Sequence, residues 1–220
     1  MPTSSFLPGR DFESQSTYNI RVRTTDAGGE SYEEALVVNI NNIDETLYGT
    51  PNNDILRGTA DADQINGLAG DDRLYGNAGN DFIDGEEGND LLYGGDGMDY
   101  LTGSAGRDRI YGDDGDDILY GGAGDDLLYG GAGTDRLYGN GGNDIFVLAP
   151  GMGTDTIYDF EDGIDSFQLD YGISFGQLEI IQSGSSTRIN ILDTGETLAI
   201  LRNTDAELIT AADFSDIMAR

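Results

Sequence analysis

Eleven aspartates recur every nine residues: Asp54, Asp63, Asp72, Asp81, Asp90, Asp99, Asp108, Asp117, Asp126, Asp135 and Asp144. Each occupies position six of a nonapeptide, of which Gly121-Gly122-Ala123-Gly124-Asp125-Asp126-Leu127-Leu128-Tyr129 is a clean copy. Position one is glycine in all eleven copies and position eight is always Leu, Ile or Phe. A lone Asp in a glycine-rich turn is ordinarily a turn former. Eleven in one phase, each followed two residues later by an apolar side chain, make a periodic array of carboxylates beside exposed backbone carbonyls. Those are hard oxygen ligands, the set that calcium takes.

The elements that must position these carboxylates follow from the same period. Positions one to six are polar and glycine-rich and predict a tight turn with positive φ at several residues. Positions seven to nine predict a three-residue strand, with position eight facing inward and seven and nine outward. Such short strands are stable only when stacked, so two nonapeptides form one coil of a two-sheet parallel roll, with odd-numbered turns on one edge and even-numbered turns on the other. Turns on one edge then lie about 4.8 Å apart. Carboxylates at about that spacing repel by roughly 3 kcal/mol per neighbour at an effective dielectric of 20. An oxygen–calcium–oxygen bridge spans about the same 4.8 Å, whereas magnesium, with shorter bonds and a firmly held hydration shell, fits poorly. Zinc would want His or Cys, and the chain has neither.

Six odd and five even turns leave room for up to nine ions between them. The expected ligands are the eleven carboxylates with the carbonyls of the position-four glycines, Gly70, Gly79, Gly88, Gly97, Gly106, Gly115, Gly124, Gly133 and Gly142. Asn52 and Asp61 replace that glycine in the first two repeats, and Pro51 stiffens the first turn. Slots touching those repeats are expected to be weak or empty, leaving about seven good sites.

Composition narrows the function. The 42 acidic and 11 basic residues give a net charge of −31. Such a polyanion repels nucleic acid and anionic membrane surfaces, so its natural partners are cations. No stretch is long and apolar enough for a membrane span. Without His there is no Ser-His-Asp triad and no zinc-protease helix; without Lys, no Walker A loop; and no G-x-S-x-G elbow occurs. No catalytic residue is expected. Met1-Pro2-Thr3-Ser4-Ser5-Phe6 carries neither a basic nor an apolar signal region, which predicts either a cytoplasmic chain or export by a route that reads another signal.

The repeats resemble the RTX, or haemolysin-type, calcium-binding nonapeptide family, whose pattern is G-G-x-G-x-D-x-U-x with U a large apolar residue. The resemblance implies a parallel β-roll that is unfolded inside the cell, type I secretion without a cleaved N-terminal signal, and folding outside in millimolar calcium. After the roll, Gly153-Thr154-Asp155-Thr156-Ile157-Tyr158-Asp159-Phe160 and Gly163-Ile164-Asp165-Ser166-Phe167-Gln168-Leu169 resemble the segment that follows such repeats. Three β-rich runs, 178–181, 188–192 and 197–201, read as antiparallel strands with Gly195 in the last turn, and 206–214 as a short helix or turn. Phe214-Ser215-Asp216-Ile217 falls where the family carries an export signal.

Ahead of the roll, two alternating runs around Asp26-Ala27-Gly28-Gly29 predict a β-hairpin. It resembles the last two strands of a cadherin-like repeat, with Asp11-Phe12-Glu13, Asp26 and Asn42-Ile43-Asp44-Glu45 near that family's calcium motifs. The chain is therefore expected to be the C-terminal piece of a longer protein or the product of a truncated gene. The expected fold is all-β: residues 1–46 a truncated cadherin-like segment, 47–147 the calcium-binding roll, and 148–220 a capping and secretion-related domain. The expected function is an extracellular calcium-binding module that folds on calcium and stabilises, or aids export of, a secreted or surface protein. Two alternatives stand beside it. One is an adhesion or carbohydrate-binding module that meets a polysaccharide or cell-surface ligand through the cadherin-like remnant or the outward tyrosines. The other is the non-catalytic end of a secreted protease, lipase or toxin.

Overall fold

The computed structural model describes residues 17–25, 31–39 and 46–216, in two units divided after Asp44. The first unit contains an antiparallel hairpin of Thr17–Thr25 and Ser31–Asn39, in register from Thr17 opposite Asn39 to Thr25 opposite Ser31. Its turn, the three acidic motifs of the cadherin-like resemblance and Ile217 lie outside the described residues.

The second unit is a parallel β-solenoid of about seven coils, with no α-helix among the described residues. One sheet has eight strands: Ile55–Arg57, Arg73–Ala78, Leu91–Asp96, Arg109–Asp114, Leu127–Ala132, Ile145–Leu148, Ser166–Leu169 and Phe214–Asp216. The other has ten. Thr46–Tyr48, Gln64–Asn66, Phe82–Asp84, Tyr100–Ala105, Ile118–Ala123, Arg136–Gly141, Asp155–Ile157 and Thr197–Arg202 are parallel, and Ser186–Ile191 and Leu178–Ser183 complete it antiparallel. The three β-rich runs of the C-terminal region thus continue the roll's own sheet. The stretch 206–214 is a turn followed by one 3₁₀ turn, Ala211–Asp213, that leads into the last strand at Phe214.

Position eight forms the core as expected. Ile65, Leu74, Ile83, Leu92, Leu101, Ile110, Leu119, Leu128, Leu137 and Phe146 are all buried in a single column. Ile157, Phe160, Phe167 and Leu169 prolong it into the C-terminal coils.

Seven of the roll's strands correct the three-residue expectation: they run six residues, from position seven through position three of the next repeat, as in Leu91–Asp96. Burial alternates along them, so the position-one glycine faces inward beside position eight. That glycine is not in the left-handed region; the positive φ values fall at position two, from Leu68 to Asn140, and at position four, from Gly70 to Gly142. Position one is glycine for want of space. A methyl on Gly121 would sit 2.5 Å from Asp126 Oδ2 and 2.7 Å from the Gly139 carbonyl of the next coil.

The outward aromatics form two stacks. Tyr75, Tyr93 and Tyr111 lie nearly parallel at 5.2 and 4.9 Å between centroids, with the Arg57 guanidinium 4.0 Å over the Tyr75 ring. On the other sheet, Tyr120, Tyr138 and Tyr158 stack at 4.5 and 4.6 Å. Their faces cover one another along each stack and leave ring edges, rather than faces, to an approaching sugar.

Candidate metal centre

From Asp72 to Asp144 each position-six aspartate is held by the same two bonds. Its Oδ1 accepts the backbone N–H of the aspartate one coil earlier: Asp90 from Asp72 at 2.8 Å, Asp108 from Asp90 at 2.7 Å, Asp117 from Asp99 at 2.8 Å. Its carbonyl accepts the N–H of position seven one coil later, as Arg109 donates to Asp90 at 2.9 Å. The side chain is thereby aimed into the gap between coils, and from Asp63 to Asp144 it is at most 4 % exposed.

The second oxygen divides the array. In Asp72, Asp81, Asp90, Asp99, Asp108, Asp117, Asp126 and Asp135, Oδ2 is buried with no hydrogen-bond partner. A buried carboxylate oxygen left unpaired is expensive, and eight in succession call for an electropositive partner. Above Gly67, Gly76, Gly85, Gly94, Gly103, Gly112 and Gly121, that oxygen and the position-one carbonyl of the next coil converge over the glycine Cα. Position-four carbonyls, such as Gly88 beneath Gly106, point along the stack at the next position-four glycine. Among the described residues no backbone hydrogen bond reaches them. Carboxylate and carbonyl oxygens with no competing donor suit calcium. No cluster of three or more acidic, His or Cys side chains forms among the described residues, because the array supplies its carboxylates one per coil, with backbone oxygens between them.

Electrostatics agrees. Burial pushes the Asp81, Asp90, Asp99 and Asp126 carboxyls up to about 6, and those of Asp108, Asp117 and Asp144 up to about 7, with neighbouring coils' carboxylates adding to the rise at most of them. The exposed position-five residues behave oppositely. Asp71 and Asp125 accept backbone and side-chain N–H bonds from Asn89 and Asn143, at 2.9 Å each, which hold their carboxyls below the usual range. Proximity in sequence therefore does not make Asp71 and Asp72 equivalent: one has its donors, and the other lacks one.

The first two repeats do not share the vacancy. Asp54 Oδ2 accepts the N–H of Thr50 at 2.6 Å, and Asp63 Oδ2 that of Thr59 at 2.6 Å, each reinforced by the threonine hydroxyl. Position two has positive φ in each of the next nine repeats but not at Thr50 or Thr59; a β-branched residue resists that region. The weakness expected from Asn52 and Asp61 thus has a further cause at position two.

Sequence reasoning missed two members. Asp155 Oδ1 accepts the Asp135 N–H at 3.2 Å, and Asp165 Oδ1 the Asp144 N–H at 3.0 Å. Gly153-Thr154-Asp155 and Gly163-Ile164-Asp165 repeat the position-four-to-six pattern, but 20 and 21 residues replace the regular 18-residue coil, so a fixed nine-residue frame skips them.

A family model describes the same repeats, and two solved structures are similar to the chain in part. No curated protein sequence matches the chain. Among solved structures, an extracellular lipase, LipA from Serratia marcescens, is similar with 17% identity over 79% of this chain and 40% of its own, at a TM-score of 0.45. The chain thus spans well under half of that enzyme's length. The AlgE6R3 subunit of a mannuronan C5-epimerase from Azotobacter vinelandii is similar with 25% identity over 78% of this chain and 84% of its own, at a TM-score of 0.26. The RTX calcium-binding nonapeptide repeat (4 copies) matches at 41–74, 48–83, 57–92, 66–99, 93–128, 111–146 and 120–157, leaving the N-terminal hairpin outside. These matches cover more than half of the 220 residues, and the chain belongs to the RTX calcium-binding nonapeptide repeat family.

Proposed function

We propose that the roll is a non-catalytic, calcium-triggered folding module of a secreted or surface protein, with seven regular sites between Asp72 and Asp144. The observation that carries this reading is the run of buried carboxylates from Asp72 to Asp126 whose Oδ2 has no donor, each beside a glycine carbonyl one coil away. Asp72, Asp81, Asp90, Asp99, Asp108, Asp117 and Asp126 would supply the carboxylate of each site. Backbone carbonyls at positions one and four would complete it, and calcium would supply the positive charge that lets them stack. Asp54 and Asp63, already satisfied by Thr50 and Thr59, would leave their slots empty.

Ions that bind only the native state add their binding free energy to its stability. At intracellular calcium the chain would stay unfolded, as type I export requires, and at the roughly 10⁻⁴–10⁻³ M levels of extracellular modules it would fold. Among the described residues no helix is long and apolar enough to cross a membrane.

The test is a calcium titration of the chelated protein followed by far-UV circular dichroism, with magnesium as control. A cooperative coil-to-β transition at sub-millimolar to millimolar calcium, absent with magnesium, is expected. A chain already β-structured in chelator, or indifferent to calcium, would overturn the reading.

A further inference from the structure

Three residues depart from the repeat pattern, and the fold gathers them in one place. Position five is Asn, Asp, Ala, Arg or Thr in ten copies and Met98 in the sixth. Position seven is aromatic only at Phe82 and Tyr100, in the fourth and sixth copies. On the even edge Phe82 pairs with Tyr100 one coil on, and the two rings lie nearly parallel at 5.0 Å. Between Arg57 and Gly163 the exposed large apolar side chains are Phe82, at 44 %, and Met98, at 59 %. Other copies fold with asparagine or leucine at these positions, as at Asn89 and Leu91, so stacking of the roll does not account for the departures.

Met98 and Tyr100 open onto a groove of about 590 Å³. Position-six side chains turn inward, which leaves a furrow between position five, with Met98, Asp116 and Thr134, and position seven, with Tyr100, Ile118 and Arg136. Phe82, stacked on Tyr100, stands at its start. From Phe82 to Arg136 is three coil steps, about 14 Å, the length of roughly four extended residues. The chain's own packing shows what suits the end of an aromatic row. The Arg57 guanidinium lies 4.0 Å over Tyr75, the first ring of one row, and that of Arg202 lies 5.9 Å from Tyr158, the last ring of the other. Phe82 is the first ring of that second row, which runs through Tyr100, Tyr120 and Tyr138 to Tyr158. The coil before it presents Gln64 at position seven, and among the described residues no guanidinium lies over Phe82. An open aromatic face attracts a cation. Asp116 sets a carboxylate in the groove, and a net charge of −31, still strongly negative with seven divalent ions bound, draws cations towards it.

We propose that this furrow docks an extended peptide segment of a partner protein, an arginine followed by apolar side chains. The guanidinium lies on Phe82 and the apolar side chains pack against Met98 and Ile118. Arg136 at the far end repels a second cation and so sets the direction in which the segment lies. Docking requires a folded roll but no particular occupancy of the slots between coils.

The experiment is fluorescence anisotropy of the full chain in saturating calcium, with circular dichroism checking the fold, against the labelled peptide Arg-Gly-Leu-Gly-Leu and its counterpart beginning with Glu. Salt at roughly 0.3 M screens the general attraction of a polyanion for cations. The arginine peptide is expected to bind and the glutamate peptide not. Phe82→Leu and Met98→Asn should each weaken binding, and together by about tenfold. Ile181→Thr, at an exposed apolar side chain outside the groove, should leave it unchanged. Equal binding by the wild type and the double variant, or no binding by the wild type, would overturn the proposal. A wild-type dimer in sedimentation that the double variant loses would assign the face to a second copy and overturn it too. Should a variant fail to fold, the wild type decides: bound arginine peptide slows peroxide oxidation of Met98, read by mass spectrometry, and an unchanged rate sinks the proposal.

Discussion

The first two turns and the interior turns are written in the same nonapeptide, yet they do opposite things with one oxygen. At Asp54 and Asp63 the position-two threonine stays out of the left-handed region and turns its N–H onto Oδ2. From Asp72 to Asp135, position two has positive φ and Oδ2 is left without a donor. One conformational choice, made two residues after the constant glycine, separates a turn that satisfies itself from a turn that needs a cation. The lesson is that the aspartate marks the phase and the residue at position two decides the chemistry.

The comparison breaks most severely at position one of the interior. Gly121→Ala places a methyl against Asp126 Oδ2 and the Gly139 carbonyl. A loss of about 3 kcal/mol of folding free energy in calcium is expected. Gly176→Ala, with nothing within 4 Å of the added methyl, should shift stability by no more than about 0.5 kcal/mol. Chemical denaturation of both variants at fixed calcium checks the pair, and equal losses would show that the close approach at Gly121 is not what makes glycine necessary.

Next in size is the contrast between Asp108→Asn and Asp54→Asn. The first removes the charge from an orphaned carboxylate in mid-array. It should cost about 1–3 kcal/mol in calcium and nothing in chelator, where the amide relieves the repulsion. The second alters a carboxylate that already has its donors and should be within about 0.5 kcal/mol of wild type in both conditions. Denaturation with and without calcium reads both.

Acid should replace part of what calcium does. Burial holds the interior carboxyls at about 6 to 7 in the folded, metal-free chain, above the ordinary carboxyl value of 3.8. Folding therefore takes up protons between roughly pH 4 and 7, and the metal-free roll loses stability as pH rises through that window. In chelator, β-structure should increase as pH falls from about 7.5 to 4.5, while at fixed subsaturating calcium occupancy should fall below about pH 6 as protons compete. Circular dichroism and calcium uptake across that range give the two signs, and a metal-free roll that loses structure on mild acidification would contradict the burial of these carboxyls.

The smallest expected effect sharpens the comparison from the other side. Thr59→Gly with Asp61→Gly gives the second turn the residues of an interior one. One further calcium ion should bind at saturation with little change in stability, and dialysis would count it. An unchanged count would mean that the loss of a stacked neighbour at the roll's open end, rather than Thr59, keeps that slot closed.

Much of the roll was legible in the sequence because each coil is a local event repeated: position eight must be apolar to form the column, and stacking follows from strands too short to stand alone. The segment after the repeats was half legible. Its strands could be read from alternation, but alternation does not say that Thr197–Arg202 joins the roll's own sheet through Asp155–Ile157. Asp155 and Asp165 carried the glycine-x-aspartate signal and were passed over because insertions of two and three residues broke the frame.

What the sequence determined by itself was the period, and with it the parallel roll, the inward column and the ladder of carboxylates on each edge, since nine residues per half-coil leave the chain few other ways to bury one apolar side chain per repeat. What only the tertiary structure decided was which oxygen of which aspartate lacks a donor. That depends on the backbone angle at position two, which decides whether an N–H of the same turn reaches the oxygen, and on the room over the position-one glycine beside the next coil's carbonyl. The burial of these oxygens, and the approach of a glycine carbonyl 18 residues further on, as Gly139 over Gly121, exist only once the coils are stacked.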